Sequence, residues 1–209
     1  MYELVKKVVG LRVEGAEHVP SSGPLLLASN HLSVTDSTFL PMAVARKVTF
    51  MAKAEYFTGR GPSGRFVSWF MSRDGQVAVD RDDKRAAVAS LDTCLEVLRR
   101  GDAFGIYPEG TRSPDGRLYR GRTGVAWLAL KSGAPVVPVA MFGTDRVLPP
   151  GRVVPRPARV RVVFGKPVQL AAIATDPENA RERRAATEAI MAAIAGISGQ
   201  EYVPRYARA

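Results

Sequence analysis

Asn30-His31-Leu32-Ser33-Val34-Thr35-Asp36 stands between the apolar run Leu25-Leu26-Leu27-Ala28 and the mostly apolar Phe39-Leu40-Pro41-Met42. Apolar run, polar turn and second apolar run read as strand, turn and helix. In open α/β sheets that junction, outside the carboxyl end of a strand, is where chemistry usually sits. His31 and Asp36 have the makings of a base and its orienting carboxylate. On a regular helix their spacing would set them about 140° apart, at ~100° per residue. They meet only if His31 lies in the loop and the chain bends back before a helix begins at Asp36. A reading without chemistry fits the same residues: Asp36 or Thr35 caps the helix, Asn30 turns the chain, and His31 is a hydrogen-bonded loop histidine.

Working outward, seven β-like runs are predicted at 11–19, 25–29, 48–52, 76–80, 103–107, 135–140 and 159–164. Helical patterns lie at about 36–46, 62–72, 83–100, 122–132 and 178–197. Several of the β-like runs are almost wholly apolar, as strands covered on both faces must be. Strands alternating with helices imply an α/β fold with a mostly parallel, roughly seven-stranded central sheet flanked by helices. The first run, with its Gly15, fits an antiparallel edge. Segments 83–100 and 122–132 end in a basic residue followed by glycine, at Arg100-Gly101 and Lys131-Ser132-Gly133. Segment 141–158 reads as a loop rich in Pro, Gly and Arg. No repeat or low-complexity linker divides the chain, so residues 1–209 are expected to form a single domain.

Composition narrows the function. Thirty Lys and Arg against twenty Asp and Glu give a formal net charge of +10, and the pI is near 10.2. That balance calls for an anionic partner: nucleic acid, a membrane surface or a phosphorylated substrate. No nucleic-acid-binding motif accompanies it. Arginine outnumbers lysine, as bidentate phosphate contact favours, with a concentration at Arg146, Arg152, Arg156, Arg159 and Arg161. No run approaches the roughly 20 apolar residues of a membrane span. Residues 1–10 are too short and too charged for a secretory signal and read as a brief amphipathic helix. The one cysteine, Cys94, sits at helical spacing with Val88, Leu91, Leu95 and Leu98 and reads as a buried hydrophobe. With two histidines beside it, the chain offers no convincing metal-ligand set.

A second site stretch is Tyr107-Pro108-Glu109-Gly110-Thr111-Arg112, after the strand-like Ala103-Phe104-Gly105-Ile106. Gly110 permits a tight turn, Arg112 is a candidate phosphate ligand, and Glu109 can hold the loop. A surface turn with one ion pair is the plainer reading. Arg81 follows the strand-like Gln76-Val77-Ala78-Val79-Asp80. His31, Arg81 and Arg112 would thus share one rim of the sheet. Between 57 and 73, arginines interleave with Phe66, Trp69 and Phe70, which fits either a lipid-facing surface or core at helical spacing.

Four stretches in order resemble the glycerolipid acyltransferases, specifically the PlsC-type lysophosphatidic acid acyltransferase family. NHLSVTD at 30–36 is similar to its Asn-His-x4-Asp block, and GQVAVDR at 75–81 to the second block. YPEGTR at 107–112 and VPVA at 137–140 resemble the third and fourth. The likeness runs from about 11 to 203 and looks closest to short actinobacterial members, partly through Ser198-Gly199-Gln200-Glu201-Tyr202-Val203. Tyr107 replaces the commoner phenylalanine, which should be neutral.

The resemblance implies acyl transfer from a thioester, acyl-CoA or acyl carrier protein, to the hydroxyl of lysophosphatidic acid. His31 would be the base and Asp36 its orienting partner. Arg81, Arg112, Lys53 and Arg122 would bind the substrate phosphate. Asn30, Glu109, Gly110 and Thr111 would organise the site, and backbone amides of 121–124 are candidates to stabilise the oxyanion. No nucleophile elbow appears, so transfer would be direct, with no cofactor and no metal. The enzyme would sit peripherally on an anionic membrane, at its cytoplasmic face, without nucleic acid as a partner. Glycerol 3-phosphate or another lysolipid is the competing acceptor. A hydrolase and a basic membrane-binding module without turnover are the competing classes.

Overall fold

The computed structural model describes residues 10–53, 77–79, 84–149, 152, 154 and 156–208. The helix expected over 62–72, the 57–73 stretch, Arg81 and all but Gly10 of the expected N-terminal helix lie outside these residues. In chain order the elements are β1 (Arg12–Glu14), β2 (Leu25–Ser29), α1 (Asp36–Met42), β3 (Val48–Lys53), β4 (Val77–Val79) and α2 (Lys84–Arg99). Then follow β5 (Ala103–Ile106), β6 (Leu118–Tyr119), α3 (Gly124–Ser132), β7 (Val136–Phe142) and α4 (Thr144–Val147). The chain finishes with β8 (Arg161–Phe164), α5 (Ala180–Ser198) and β9 (Tyr202–Val203).

Seven strands form one sheet in the order β1-β8-β7-β2-β5-β3-β4. All neighbours from β7 to β4 are parallel, β8 is antiparallel to β7, and β1 is parallel to β8. The β1–β8 edge therefore runs against the other five strands. β2 holds the centre because every one of its residues is buried. Its side chains alternate between two cores: Leu26 and Ala28 join Phe104, Leu98, Leu128 and Ile190, while Leu25 and Leu27 join Phe39, Phe50, Val139 and Phe164. Period-two alternation with both faces covered explains a continuous Leu-Leu-Leu-Ala run.

Sheet order also places the site. From β2 the chain passes one way to β3 and β4, and later the other way to β7 and β8, with β5 and β7 flanking β2. α1 packs on one face and α3 on the other. Diverging connections leave a crevice at the carboxyl ends of β2 and β5, the switch point of an open sheet. Ala28 pairs with Ile106 and Ser29 with Val139, so residues 30–36 and 107–113 leave neighbouring strand ends.

Two expectations need correction, and one pair of strands was not expected. The 11–19 run is strand only at Arg12–Glu14, whose residues are exposed, and gives way to a single 3₁₀ turn at Ala16–His18. Segment 141–158 is not all loop. Met141 and Phe142 belong to β7, and Thr144–Val147 form one helical turn because Thr144 and Val147 are buried. The pair β6–β9, two residues each, is too short to leave a periodic signal and forms where Leu118 and Val203 meet the core.

Candidate active site

The turn after β2 bends as the base-and-carboxylate reading requires. Asp36 is the first residue of α1, and Thr35, at the N-cap position, makes no capping side-chain bond. The Asp36 carboxylate reaches back instead: Oδ2 accepts the N–H groups of Leu32 at 2.7 Å and Ser33 at 2.9 Å. It also lies 2.8 Å from His31 Nδ1. With the carboxylate as acceptor, Nδ1 carries the imidazole proton and Nε2 presents its lone pair. Asp36 is fully buried, and its Oδ1 has no partner among the described residues. The His31 side chain keeps 12% of its surface exposed.

The His31 ring is clamped from the next strand end. Tyr107 stacks on it with centroids 3.9 Å apart and planes 9° from parallel. Phe50 backs Tyr107 at 5.6 Å. Gly105 makes this possible, since a Cβ there would overlap the Phe50 ring. A phenylalanine at 107 would supply the same stack; the tyrosine adds a 3.1 Å bond between its hydroxyl and Ser37.

Glu109 grips the main chain. One carboxylate oxygen accepts His31 N–H at 3.2 Å and the other accepts Tyr119 N–H at 2.8 Å. Burial pushes its pKa from 4.5 up to about 7, outweighing those two bonds, and repulsion from Asp36 and Asp115 adds to the rise. An acid whose folded pKa is raised holds its proton more tightly when folded. Its neutral form therefore favours the folded state at low pH, and that advantage disappears as pH climbs from about 4.5 to about 7. This carboxyl should thus withdraw about 3 kcal/mol of stability over that range. Urea denaturation at several pH values checks it: the stability of the wild type relative to Glu109→Gln should fall as pH rises.

The remaining candidates sort by position. Asn30 is buried and continues the β2–β7 ladder with its side chain, accepting Met141 N–H at 2.7 Å and donating to Met141 O at 3.2 Å. Gly110 has φ 75°, so the turn needs glycine for its conformation; a Cβ there would meet only the long, exposed Arg122 side chain, 2.8 Å from Nε, which can move aside. Thr111 is half-buried on that loop. Arg112 is exposed, without ion pair or hydrogen bond among the described residues. Arg117 nearby is engaged with Asp115 at 2.6 Å. Arg122 is exposed beside Gly110, with its guanidinium 5.3 Å from the Tyr206 ring. Its N–H already donates to Pro108 O at 2.8 Å, which removes one amide from the expected oxyanion set. Lys53 ends β3, pairing with Val79. Its side chain, like Arg81, lies outside the described residues, so His31 and Arg112 are the members of the expected rim that the described residues place on adjacent strand ends.

Two contributors were given no role by the sequence reading. Ser113 donates its N–H to His31 O at 2.8 Å. Gln200, far along the chain, accepts from Asn30 Nδ2 at 2.8 Å. Cys94 is fully buried, with burial pushing its thiol up to about 12, so it is a core residue and no nucleophile.

A family model described as Acyltransferase matches residues 10–142, stopping short of α5 and β9. The chain is 35% identical over 160 residues to the chloroplastic 1-acyl-sn-glycerol-3-phosphate acyltransferase LPAT1 of Arabidopsis thaliana, covering 76% of this chain and 43% of that protein. It is 28% identical over 184 residues to the 1-acyl-sn-glycerol-3-phosphate acyltransferase of Bacillus subtilis, covering 87% and 84%. It is also similar to the crystal structure of the 1-acyl-sn-glycerophosphate acyltransferase PlsC from Thermotoga maritima, with a TM-score of 0.69 and 28% identity over 94% of this chain and 79% of that one. The chain spans less than half the length of the chloroplastic relatives from Arabidopsis thaliana and Brassica napus. The matched span takes in both the turn that joins His31 to Asp36 and the loop that clamps them, and this chain belongs to the acyltransferase family.

Proposed function

We propose that this protein moves a fatty acyl group from a thioester, acyl-CoA or acyl carrier protein, to the free hydroxyl of lysophosphatidic acid, giving phosphatidic acid. One observation carries the reading: His31 Nδ1 is held 2.8 Å from buried Asp36 while Nε2 is left as an acceptor. The names of the relatives from Arabidopsis, Bacillus and Thermotoga support the acceptor. A glycerol hydroxyl is a weak nucleophile near neutral pH. His31 Nε2 takes its proton as the oxygen attacks the thioester carbonyl, and Asp36 fixes the tautomer and steadies the imidazolium. When the tetrahedral intermediate collapses, the carbon–sulfur bond breaks and the imidazolium returns the proton to the thiolate. No cofactor or metal enters these steps. Arg112, with Arg122, Arg81 and Lys53, receives the substrate phosphate, where guanidinium forks make the stronger bonds.

Lysolipid and product both partition into membrane, so the site must open towards one, at the cytoplasmic face in this reading. The loop after α4 is suited to that contact. Its Leu148 and Thr144 carbonyls touch Ser33 and Thr35 of the site turn. Arg146, Arg152, Arg156 and Arg159 are exposed there, and Val154 stands 70% exposed among them. Each such arginine contributes about 1 kcal/mol near anionic lipid, so Arg152→Ala/Arg156→Ala/Arg159→Ala should weaken binding roughly a hundredfold. Flotation with phosphatidylglycerol vesicles measures this; equal flotation of wild type and triple variant would remove the loop from the membrane contact.

The acceptor is tested by following CoA release from palmitoyl-CoA with lysophosphatidic acid, glycerol 3-phosphate, lysophosphatidylcholine or water alone. Turnover should require lysophosphatidic acid. Faster turnover with glycerol 3-phosphate would change the acceptor, and free fatty acid in water alone would make the protein a hydrolase.

A further inference from the structure

The segment after α5 lies outside residues 10–142, the span of the family model, yet it closes a ring of hydrogen bonds around His31. Gln200 Oε1 accepts from Asn30 Nδ2 at 2.8 Å, and Gln200 Nε2 donates to Gly116 O at 2.6 Å. Gly116 belongs to a turn tied by Ser113, whose hydroxyl accepts Gly116 N–H at 3.0 Å and donates to Arg117 O at 2.7 Å. Ser113 N–H in turn donates to His31 O at 2.8 Å. The circuit runs from His31 through Ser113, Gly116, Gln200 and Asn30 and back to His31 through the peptide bond.

The orientation of both amides follows from an obligatory donor. Met141 N–H faces Asn30 Oδ1, so Nδ2 must supply Met141 O and Gln200. Gln200 therefore answers with its oxygen and turns its own nitrogen towards the Gly116 carbonyl. Its position is fixed from either side. Gln200 N–H donates to Ser198 Oγ at 3.2 Å, at the end of α5, and Glu201 O accepts Leu118 N–H at 3.0 Å where β9 meets β6.

We infer that Gln200 is a positioning residue for the transfer reaction, setting the His31 peptide against the 107–113 loop. The inference rests on the acyltransferase reading for its kinetic consequence but not for its structural one. Without Gln200, Asn30 keeps Met141 and Glu109 keeps His31 N–H, so the fold persists. What is lost is the tie between the residue preceding the base and the loop that carries Arg112. A displacement of about 1 Å at a reacting group can cost on the order of 10²-fold in rate.

The test compares Gln200→Leu and Gln200→Glu with the wild type and with Glu201→Gln, a neighbouring exposed position, well below the unfolding temperature of each. Gln200→Leu should lower kcat about 10- to 100-fold while KM for lysophosphatidic acid stays within about twofold. Gln200→Glu keeps an acceptor for Asn30 but sets a carboxylate against the Gly116 carbonyl, so it should also lose rate. Amide hydrogen exchange supplies an arm independent of turnover: Ser113 N–H, which donates to His31 O, should exchange at least about tenfold faster in Gln200→Leu, with Leu26 and Leu27 unchanged. A kcat within about twofold of wild type for Gln200→Leu would overturn the inference. So would full activity in Gln200→Glu, or exchange accelerated equally at Leu26, which would mark general destabilisation. A wild type without transferase activity would defeat the functional reading and leave the exchange arm to decide the positioning.

Discussion

Replacing His31 by alanine should lower kcat about 10²- to 10⁴-fold, the range set by loss of a positioned general base. The fold should survive. Asp36 Oδ2 retains Leu32 and Ser33 as donors, and the site turn stays tied to β7 through Asn30. A companion variant separates chemistry from packing. Asp36→Asn keeps the shape: its amide oxygen takes the Oδ2 position, where Leu32 N–H, Ser33 N–H and His31 Nδ1 all need an acceptor, and its NH2 takes the Oδ1 position. The imidazole proton stays on Nδ1, and what is lost is the negative charge that steadies the imidazolium, so kcat should fall with the fold unchanged. Steady-state kinetics with circular dichroism decide the matter. If His31→Ala retains wild-type turnover, the chemistry lies elsewhere and a non-catalytic basic module becomes the better reading.

Replacing Glu109 by alanine should damage both stability and rate. Two main-chain donors, His31 N–H and Tyr119 N–H, lose their acceptor, and each unpaired buried donor costs about 1–3 kcal/mol. Removing the carboxyl also removes its burial penalty once it is ionised, so the net loss should be about 2–4 kcal/mol at pH 5 and smaller at pH 8. The direction follows from a pKa raised to about 7. Because His31 N–H is one of the orphaned groups, kcat should also fall by about 10²-fold. Denaturant midpoints at the two pH values and rates at saturating substrate measure both effects. An alanine variant with wild-type kcat would leave Glu109 a buried structural residue with no part in holding the base.

Much of this was legible in the chain. An unbroken Leu25-Leu26-Leu27-Ala28 can be a strand only if both faces are covered, and a strand of that kind belongs in the centre of a parallel sheet. Alternating strands and helices, with polar turns following strands, then placed the site at the carboxyl ends. The pair His31 and Asp36 was readable because a nearby turn has few ways to bring them together, and the structure adopts the one that does. Cys94 was readable for the opposite reason, since helical spacing with Leu95 and Leu98 buries it.

What escaped the sequence was whatever depended on distant segments meeting. Tyr107 looked interchangeable with phenylalanine, although its hydroxyl reaches Ser37 on α1. Arg122 looked like a source of backbone donors, but its N–H is claimed by Pro108. Gln200 was legible only as part of the 198–203 likeness, not as a partner of Asn30.

The sequence by itself determined the layers of this protein, its central strand and the pairing of His31 with Asp36. Hydrophobic period and turn chemistry are local properties that each segment carries alone. Only the tertiary structure decided how Glu109, Ser113 and Gln200 hold His31 in place. A hydrogen bond between residues 78 or 170 positions apart in the chain, as Glu109 makes to His31 and Gln200 to Asn30, is written in strand order and register rather than in any neighbouring residues.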